Sequence, residues 1–297
     1  MKESSKISTW LQQIRAPFLI LSVFLVLIGV AVAKKDGSIF WLHAALLIIG
    51  VTLIHISVNL FNEVSDYRTK IDENTIRTPF SGGSGMMQAG KTSPKTVTTV
   101  GYVTMFLGAC IGLYFCVVSS WFIVIFMIIG GMAARFYTSY LARWLLGEFF
   151  SGLTLGTFVV LGSYMAITGT LNLEVVLISI PPGILTFLLL FLNEFPDADA
   201  DKRGGRYHLI IHLGKEKSAK IYATLLVLTY LFILAAPFMS GIPYMVLIAL
   251  SPLPLAIKAS TIVLKHHSDS PRLIPALAMN VMVILFTDLL LAVGYFI

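Results

Sequence analysis

Long apolar runs are the feature that most restricts the fold of this chain. A run of ~17–25 apolar residues is long enough to cross a bilayer as a helix, and a helix satisfies its own backbone hydrogen bonds in lipid. Only 12% of the 297 residues are charged, whereas soluble domains average ~25%. We therefore predict an all-α, polytopic membrane protein. The nine predicted spans are Ala16–Ala33, Ile39–Phe61, Val97–Val118, Trp121–Phe136, Phe149–Thr168, Val175–Asn193, Ile221–Phe238, Ile242–Ile257 and Leu273–Phe296.

The basic residues are distributed unevenly between the two sides of this predicted bundle. Of the 21 Lys and Arg residues, all but Lys34 and Lys35 lie at the N-terminus or after an even-numbered span. Because cytoplasmic loops carry an excess of Lys and Arg, we predict a cytoplasmic N-terminus and an external C-terminus. Contacts with lipid headgroups then account for the net charge of +6, so no nucleic-acid partner is expected.

Two acidic motifs follow the second and sixth spans, on the predicted cytoplasmic side. Asn62 and Asp66 are four residues apart in the first, as are Asp197 and Asp201 in the second. If each helix continues that far, each pair shares one helical face, where like charges repel unless a cation lies between them. Carboxylate and amide oxygens without His or Cys favour Mg²⁺ or Ca²⁺. We therefore predict that these four residues are metal ligands.

The two motifs are placed in register. Asn62 and Asp197 are 135 residues apart, as are Asp66 and Asp201. This equal offset predicts a weak internal duplication within a single domain, 1–297, in which the motifs face each other across a central cavity. Ordinary solvated loop acids are the alternative for one such motif, but two motifs in register disfavour it.

Basic residues accompany both motifs, and together with a metal they are the usual means of binding a polyphosphate. In a membrane bundle this combination points to an isoprenyl diphosphate, with its tail among the helices and its headgroup at the cytoplasmic mouth. The basic residues near the motifs are Arg68, Lys70, Arg77, Lys202, Arg203, Arg206 and Lys215.

These segments resemble the paired Asp-rich motifs of UbiA-type intramembrane aromatic prenyltransferases. Asn62, Asp66 and Asp72 fit the spacing of the 1,4-dihydroxy-2-naphthoate prenyltransferase branch best. This sequence departs from the family pattern at two places. Glu63 stands where the family usually has Asp, and the loop after Tyr137 lacks the Pro that the family has there. Further matching segments are Arg77–Gly83, Gln88–Pro94, Gly147-Glu148, Leu161–Tyr164 and Gly204–Lys215.

The resemblance implies that Mg²⁺ held by the four motif residues binds a polyprenyl diphosphate, and that an electron-rich aromatic ring attacks the allylic cation. In the naphthoate branch the ring carboxylate is lost, on the route to menaquinone. The implied catalytic residues are Asp66, Asp72, Arg77, Lys202, Lys215 and Tyr137. The implied substrate-binding residues are Asn59, Arg68, Lys70, Arg77, Arg206, His55 and Tyr164.

Several alternatives stay open at this point. The acceptor is 1,4-dihydroxy-2-naphthoate or a ring of the 4-hydroxybenzoate or homogentisate type. A CDP-alcohol phosphotransferase is disfavoured because no acid ladder follows Ala134-Arg135 or Ala142-Arg143. A divalent-cation transporter should carry acids deep in several helices, and here only Asp288 lies at depth. For Asp288 and Asn280 we expect interhelical hydrogen bonds, or for Asp288 a neutral, protonated carboxyl, rather than a place at the cavity.

Overall fold

The computed structural model describes residues 6–37, 40–70, 77–78, 80–136, 145–239 and 241–297, except for the side chain of Phe136. Helices and their connecting turns make up all of these residues, which confirms the all-α prediction. The α-helices are α1 Lys6–Gln13, α2 Ile20–Asp36, α3 Trp41–Thr69, α4 Pro94–Val118, α5 Ile123–Phe136, α6 Gly147–Phe150, α7 Phe158–Thr168, α8 Leu173–Ile178, α9 Ile180–Arg203, α10 Leu209–Leu213, α11 Lys215–Ala235, α12 Leu253–His266 and α13 Ser270–Phe296. A π-helical segment, Ser151–Thr157, joins α6 to α7.

Eight helical stretches within the described ranges are long and apolar enough to cross a membrane, as expected of an integral membrane protein. The prediction of nine such spans is not confirmed. The predicted span Trp121–Phe136 contains α5, of which 14 residues lie in the described range that ends at residue 136. A 14-residue α-helix is ~21 Å long, short of the ~30 Å hydrocarbon core.

Two helices extend well beyond their predicted ends. The second predicted span stops at Phe61, but α3 continues to Thr69, where Lys70 adopts a left-handed conformation with φ of 58°. The sixth stops at Asn193, but α9 continues through Pro196 to Arg203. Both acidic motifs therefore lie on the last turns of long helices, so that each pair of residues spaced four apart shares one helical face.

Small residues allow α9 to approach the π-helical segment closely. A Cβ atom built on Gly152 would lie 2.5 Å from the carbonyl oxygen of Gly183, and one on Gly156 would lie 2.7 Å from the Gly183 Cα atom. Backbone cannot move away as a flexible side chain can, so neither position accepts even a methyl group without a shift. Gly152 and Gly156, which are four residues apart, thus mark a close contact between the π-helical segment and α9.

Polar side chains inside the bundle mainly connect helices. Asn280 of α13 donates from Nδ2 to the carbonyl oxygen of Leu188 at 3.2 Å and accepts from the Tyr222 hydroxyl at 2.9 Å. Asn280 therefore ties α13 to α9 and α11, as expected. Asp288 is fully buried, and neither of its carboxylate oxygens has a hydrogen-bond partner among the described residues.

Substituting Gly156 by Ala should destabilise the fold, because the new methyl group would meet the backbone of α9. We expect a loss of ~1–3 kcal/mol, as for overpacked cores, seen as a lower midpoint of thermal unfolding in detergent. Gly130→Ala is the matched control, since Gly130 is also helical and a Cβ there would have no neighbour within 4 Å. Equal midpoints for the two variants would contradict the close contact.

Candidate active site

Arg206 lies between the two acidic motifs and contacts both. Its Nη2 atom forms a short ion pair with Asp66 and lies 3.3 Å from Oδ1 of Asn62. Its Nη1 atom lies 3.3 Å from Oδ1 of Asp201. Asp66 and Asp201 are only 4% and 3% exposed. The ends of α3 and α9 therefore meet around one cationic group, as the predicted pairing of the motifs requires.

Asp197, the fourth predicted ligand, faces a glycine-rich turn. Its Oδ2 atom accepts a hydrogen bond of 3.2 Å from the backbone N–H of Gly82. Its Oδ1 atom is buried and has no hydrogen-bond partner among the described residues. A buried carboxylate oxygen without a partner is costly, so this atom is suited to bind a cation. With Asn62, Asp66 and Asp201 it forms an oxygen-only donor set, which fits Mg²⁺.

The turn that contacts Asp197 depends on residues with unusual backbone conformations. Gly82, Gly83 and Gly85 all have positive φ values, of 84°, 66° and 70°, which glycine adopts without steric cost. The Thr78 side chain accepts hydrogen bonds from the backbone N–H groups of residues 80 and 81. The predicted site residue Arg77 precedes this turn, and its guanidinium group packs against Gly85.

Glu63 stabilises the same turn rather than joining the motif residues. Its Oε1 atom accepts from the backbone N–H of Ser84 at 2.7 Å, and its Oε2 atom accepts from the Ser84 hydroxyl at 2.6 Å. Arg15 lies 3.8 Å from Oε1. Glu63 is 1% exposed, so both oxygens are used inside the protein. The departure from the usual Asp therefore has a structural role.

A cavity of about 380 Å³ begins next to the motifs and continues between the helices. The charged, imidazole and amide side chains of the lining lie at the end that contains Asn62, and the rest is mostly apolar, with the hydroxyl groups of Ser151, Thr154, Ser163 and Thr186 among it. Along α3 the lining extends from Asn62 to Leu47, and the fifteen residue steps between them rise ~22 Å along the helix. The polar lining residues at the motif end are Arg15, His55, Asn59, Asn62 and Asn193. An elongated apolar chain with a charged headgroup matches this distribution.

The UbiA prenyltransferase family model matches residues 22–284. The chain belongs to the UbiA prenyltransferase family. The family resemblance predicted from the motifs is thereby confirmed, and prenyl transfer is the reaction for which this family is named.

Curated relatives narrow the comparison within UbiA. The chain is 29% identical to the 1,4-dihydroxy-2-naphthoate octaprenyltransferase of Bacillus subtilis over 78% of its own length and 74% of that protein. It is 26% identical to the Escherichia coli protein of the same name over 99% of its own length and 97% of the relative.

Solved structures show the same fold. A UbiA homologue from Aeropyrum pernix matches with a TM-score of 0.71 and 15% identity, over 93% of this chain and 96% of the other. A homologue from Archaeoglobus fulgidus, solved with GPP and Mg²⁺, matches with a TM-score of 0.63 and 14% identity, over 96% of this chain and 99% of the other.

The structure brings some of the other predicted residues to this UbiA cavity. His55 and Asn59 line it. The Nδ1 atom of His55 lies 2.8 Å from the Ser22 hydroxyl, and Asn59 donates from Nδ2 to the carbonyl oxygen of Ile14 at 2.9 Å. These contacts fix both side chains at the polar end of the cavity.

The predicted basic residues lie mostly on the surface around the site. Arg68, Lys70 and Lys202 are exposed. Lys215 lies 3.3 Å from Asp199, whose side chain is 79% exposed. Arg68, Lys70 and Lys202 lie near the ends of α3 and α9, and Lys215 begins α11, so that together they surround the motifs with positive charge. Two further predicted residues, Asp72 and Tyr137, lie outside the described residues.

Tyr164 is not brought to the cavity, contrary to expectation. Its hydroxyl donates to Oδ2 of Asp36 at 2.5 Å and lies 2.9 Å from Nδ2 of Asn172. Asp36 ends α2 next to the start of α3, and the motif lies at the other end of α3. Tyr164 therefore lies near the end of the bundle remote from the acids, and its side chain faces Asp36 and Asn172 rather than the cavity that its neighbour Ser163 lines.

The structure also brings to the site residues to which the sequence analysis assigned no site role. Arg15 lines the cavity and has a left-handed backbone, with φ of 53°. Glu148, Glu194 and His208 form a buried group beside Asp201. Gly82 contacts Asp197 through its backbone N–H, and a backbone contact of this kind cannot be predicted from the type of side chain. For the group of Glu148, Glu194 and His208, the clearest sign in the sequence was the acidic residue Glu148 directly before the predicted span Phe149–Thr168.

Replacing Glu63 by Gln should loosen the glycine-rich turn, because an amide cannot accept both hydrogen bonds from Ser84. We expect a loss of ~1–3 kcal/mol, as for a buried charged hydrogen-bond acceptor, together with faster limited proteolysis between residues 77 and 91. Asp199→Asn is the matched acid-to-amide control, because its carboxylate is exposed and such surface pairs contribute little. Unchanged proteolysis in Glu63→Gln would contradict this role.

Proposed function

We propose that this protein transfers a prenyl group from a long-chain polyprenyl diphosphate to 1,4-dihydroxy-2-naphthoate, in a Mg²⁺-dependent reaction of menaquinone biosynthesis. The observation that carries the proposal is the meeting of two acidic helix ends at the polar mouth of an elongated apolar cavity. The names of the two bacterial relatives support the acceptor and the long prenyl chain.

Asn62, Asp66, Asp197 and Asp201 are the residues that hold Mg²⁺ in this proposal. When bound, Mg²⁺ supplies Lewis-acid stabilisation of the departing diphosphate. Arg206 contacts three of the four proposed ligands. Its guanidinium group is therefore placed to form a bidentate pair with two oxygens of a phosphate group. Arg15 is a second cation at the cavity mouth. Arg77, Lys202, Lys215, Arg68 and Lys70 contribute to the positive field that attracts the diphosphate.

The cavity residues act on the prenyl group and its reactive carbon. Cleavage of the C–O bond releases diphosphate and leaves an allylic cation, which the acceptor ring attacks to form a C–C bond while its carboxylate leaves as CO₂. Aromatic faces stabilise a nearby cation, and apolar walls keep water from it. The aromatic lining residues are Phe18, Phe80, Phe115, Phe126, Phe150 and Phe158.

We further propose that the site faces the cytoplasm from a bacterial inner membrane. The basic residues near the motifs support this orientation, because positive residues favour the cytoplasmic side. His55 and Asn59, fixed at the polar end of the cavity, are placed to contact the acceptor. A cation transporter is disfavoured, since no Asp or Glu is among the described residues that line the cavity.

Asp66→Asn and Asp201→Asn should each abolish prenyl transfer, because each removes a charged ligand from the proposed Mg²⁺ site. The assay uses purified protein in detergent with Mg²⁺, a polyprenyl diphosphate and a panel of naphthoate, 4-hydroxybenzoate and homogentisate acceptors. We expect a decrease of at least ~10²-fold, the scale for loss of one group that stabilises developing charge. Asp199→Asn should keep nearly full activity.

Retained turnover in either variant would exclude its residue from the metal site. Turnover by the wild type with another acceptor alone would correct the acceptor. No turnover with any acceptor, combined with Mg²⁺ flux in liposomes, would favour the transporter.

Enlarging Ala166, which lines the cavity and is 2% exposed, should shorten the prenyl chain that the protein accepts. Ala166→Phe fills space at the end remote from the motifs. We expect its kcat/KM for an octaprenyl diphosphate to fall at least ~10-fold more than that for geranyl diphosphate. The short substrate is an internal control for folding, and equal losses for both substrates would contradict tail binding in this cavity.

A further inference from the structure

A second group of potential metal ligands lies beside the proposed Mg²⁺ site. We propose that Glu148, Glu194 and His208 bind a divalent transition-metal ion of the Zn²⁺ or Mn²⁺ type, separate from Mg²⁺. Each offers one ligand atom, and these atoms all lie within 4.8 Å of one another. The proposal concerns these three residues alone and stands whether or not the proposed reaction is correct.

Three separate elements bring the ligands together. Glu148 lies in the first turn of α6, Glu194 lies on α9 three residues before Asp197, and His208 directly precedes α10. The Oε1 atom of Glu148 accepts a 2.8 Å hydrogen bond from the backbone N–H of Leu209. This bond holds the start of α10 against α6 and leaves the second carboxylate oxygen of Glu148 to face the cluster.

The polar atoms of the cluster are buried without hydrogen-bond partners. Glu148 is fully buried, and His208 is 1% exposed. Within the described part of the chain, Oε2 of Glu148, Oε2 of Glu194 and both ring nitrogens of His208 make no hydrogen bond. Two carboxylates held out of water at this distance repel each other, and either a proton shared between Glu148 and Glu194 or a bound cation relieves the repulsion. A bound divalent ion satisfies all three residues at once.

The donor types select the class of metal. An imidazole nitrogen favours Zn²⁺, Mn²⁺ and similar ions over Mg²⁺, which prefers oxygen and water. The Nδ1 atom of His208 lies 3.6 Å from Oε2 of Glu194. Two ligands of a tetrahedral ion with bonds of ~2.1 Å lie roughly 3.4 Å apart. This pair is therefore close to the spacing that a shared ion requires.

The other nitrogen of His208 connects the cluster to the acidic motifs. Its Nε2 atom lies 3.3 Å from Oδ2 of Asp201. When a metal binds one nitrogen of an imidazole, the other carries the proton and commonly faces a carboxylate, which orients both groups. A metal on Nδ1 would thus fix Asp201 and the turn that carries Arg206. We infer a positioning role, not a catalytic one, for this ion.

The first experiment measures metal binding to the full-length protein in detergent, without substrate. Metal is removed with a chelator, excess Mg²⁺ is added to occupy the oxygen-only site, and Zn²⁺ is titrated. We expect one tightly bound Zn²⁺ per chain, with imidazole scattering in its X-ray absorption spectrum. His208→Asn and Glu194→Gln should weaken Zn²⁺ at least ~10-fold. The matched control His212→Asn, at an exposed histidine four residues on, should bind as the wild type does, as should Asp66→Asn.

The second experiment uses the wild type alone and so does not depend on the folding of any variant. Chelation should lower the midpoint of thermal unfolding, and Zn²⁺ or Mn²⁺ should restore it where Mg²⁺ does not. A wild type that retains no Zn²⁺ in excess Mg²⁺, or whose Zn²⁺ shows no imidazole scattering, would overturn the proposal. Loss of the ion in Asp66→Asn with retention in Glu194→Gln would equally overturn it.

Discussion

The structure depends on bringing like charges together at the ends of two helices. Asp66 and Asp201 are both buried near the ends of their helices, and the guanidinium group of Arg206 contacts each of them. Buried carboxylates in such proximity are unfavourable without positive charge. The need for cations at this position explains why a basic loop follows each motif, and it creates a polar mouth on an otherwise apolar bundle.

The apolar part of the bundle complements that mouth. The cavity extends along α3 for ~22 Å from Asn62 to Leu47, and close contacts at Gly152 and Gly156 fix the π-helical segment against α9. Residues Ser151, Thr154 and Leu155 of this segment line the cavity. The same close contact therefore supports both the fold and the shape of the proposed substrate channel.

Much of this arrangement was predictable from local patterns. Hydrophobic runs indicated the long helices, and the register of Asn62 and Asp66 with Asp197 and Asp201 indicated that the two motifs meet. The start of α5 was not predictable. The predicted span begins at Trp121, whereas α5 begins at Ile123, because apolar side chains alone do not show where a helix starts. Tyr164 was wrongly predicted to line the cavity, because the sequence does not show which way an aromatic side chain in a membrane span faces.

Contacts made by long-range packing were also beyond sequence reasoning. The roles of Glu63 and Gly82 depend on a turn whose glycines adopt positive φ values. The approach of Glu148, Glu194 and His208 depends on three elements separated by up to sixty residues in the chain. No periodic pattern links these positions, so only the folded structure brings their chemistry into view.

The central claim is that the two acidic motifs form a single site, and a double-mutant cycle tests it most directly. The measurement is Mg²⁺-dependent binding of a non-reactive prenyl thiolodiphosphate to the wild type, Asp66→Asn, Asp201→Asn and the double variant. If both residues hold the same metal–diphosphate complex, either substitution removes most of the binding energy and the second adds little. Fully additive losses in binding free energy would show two independent sites and contradict the account.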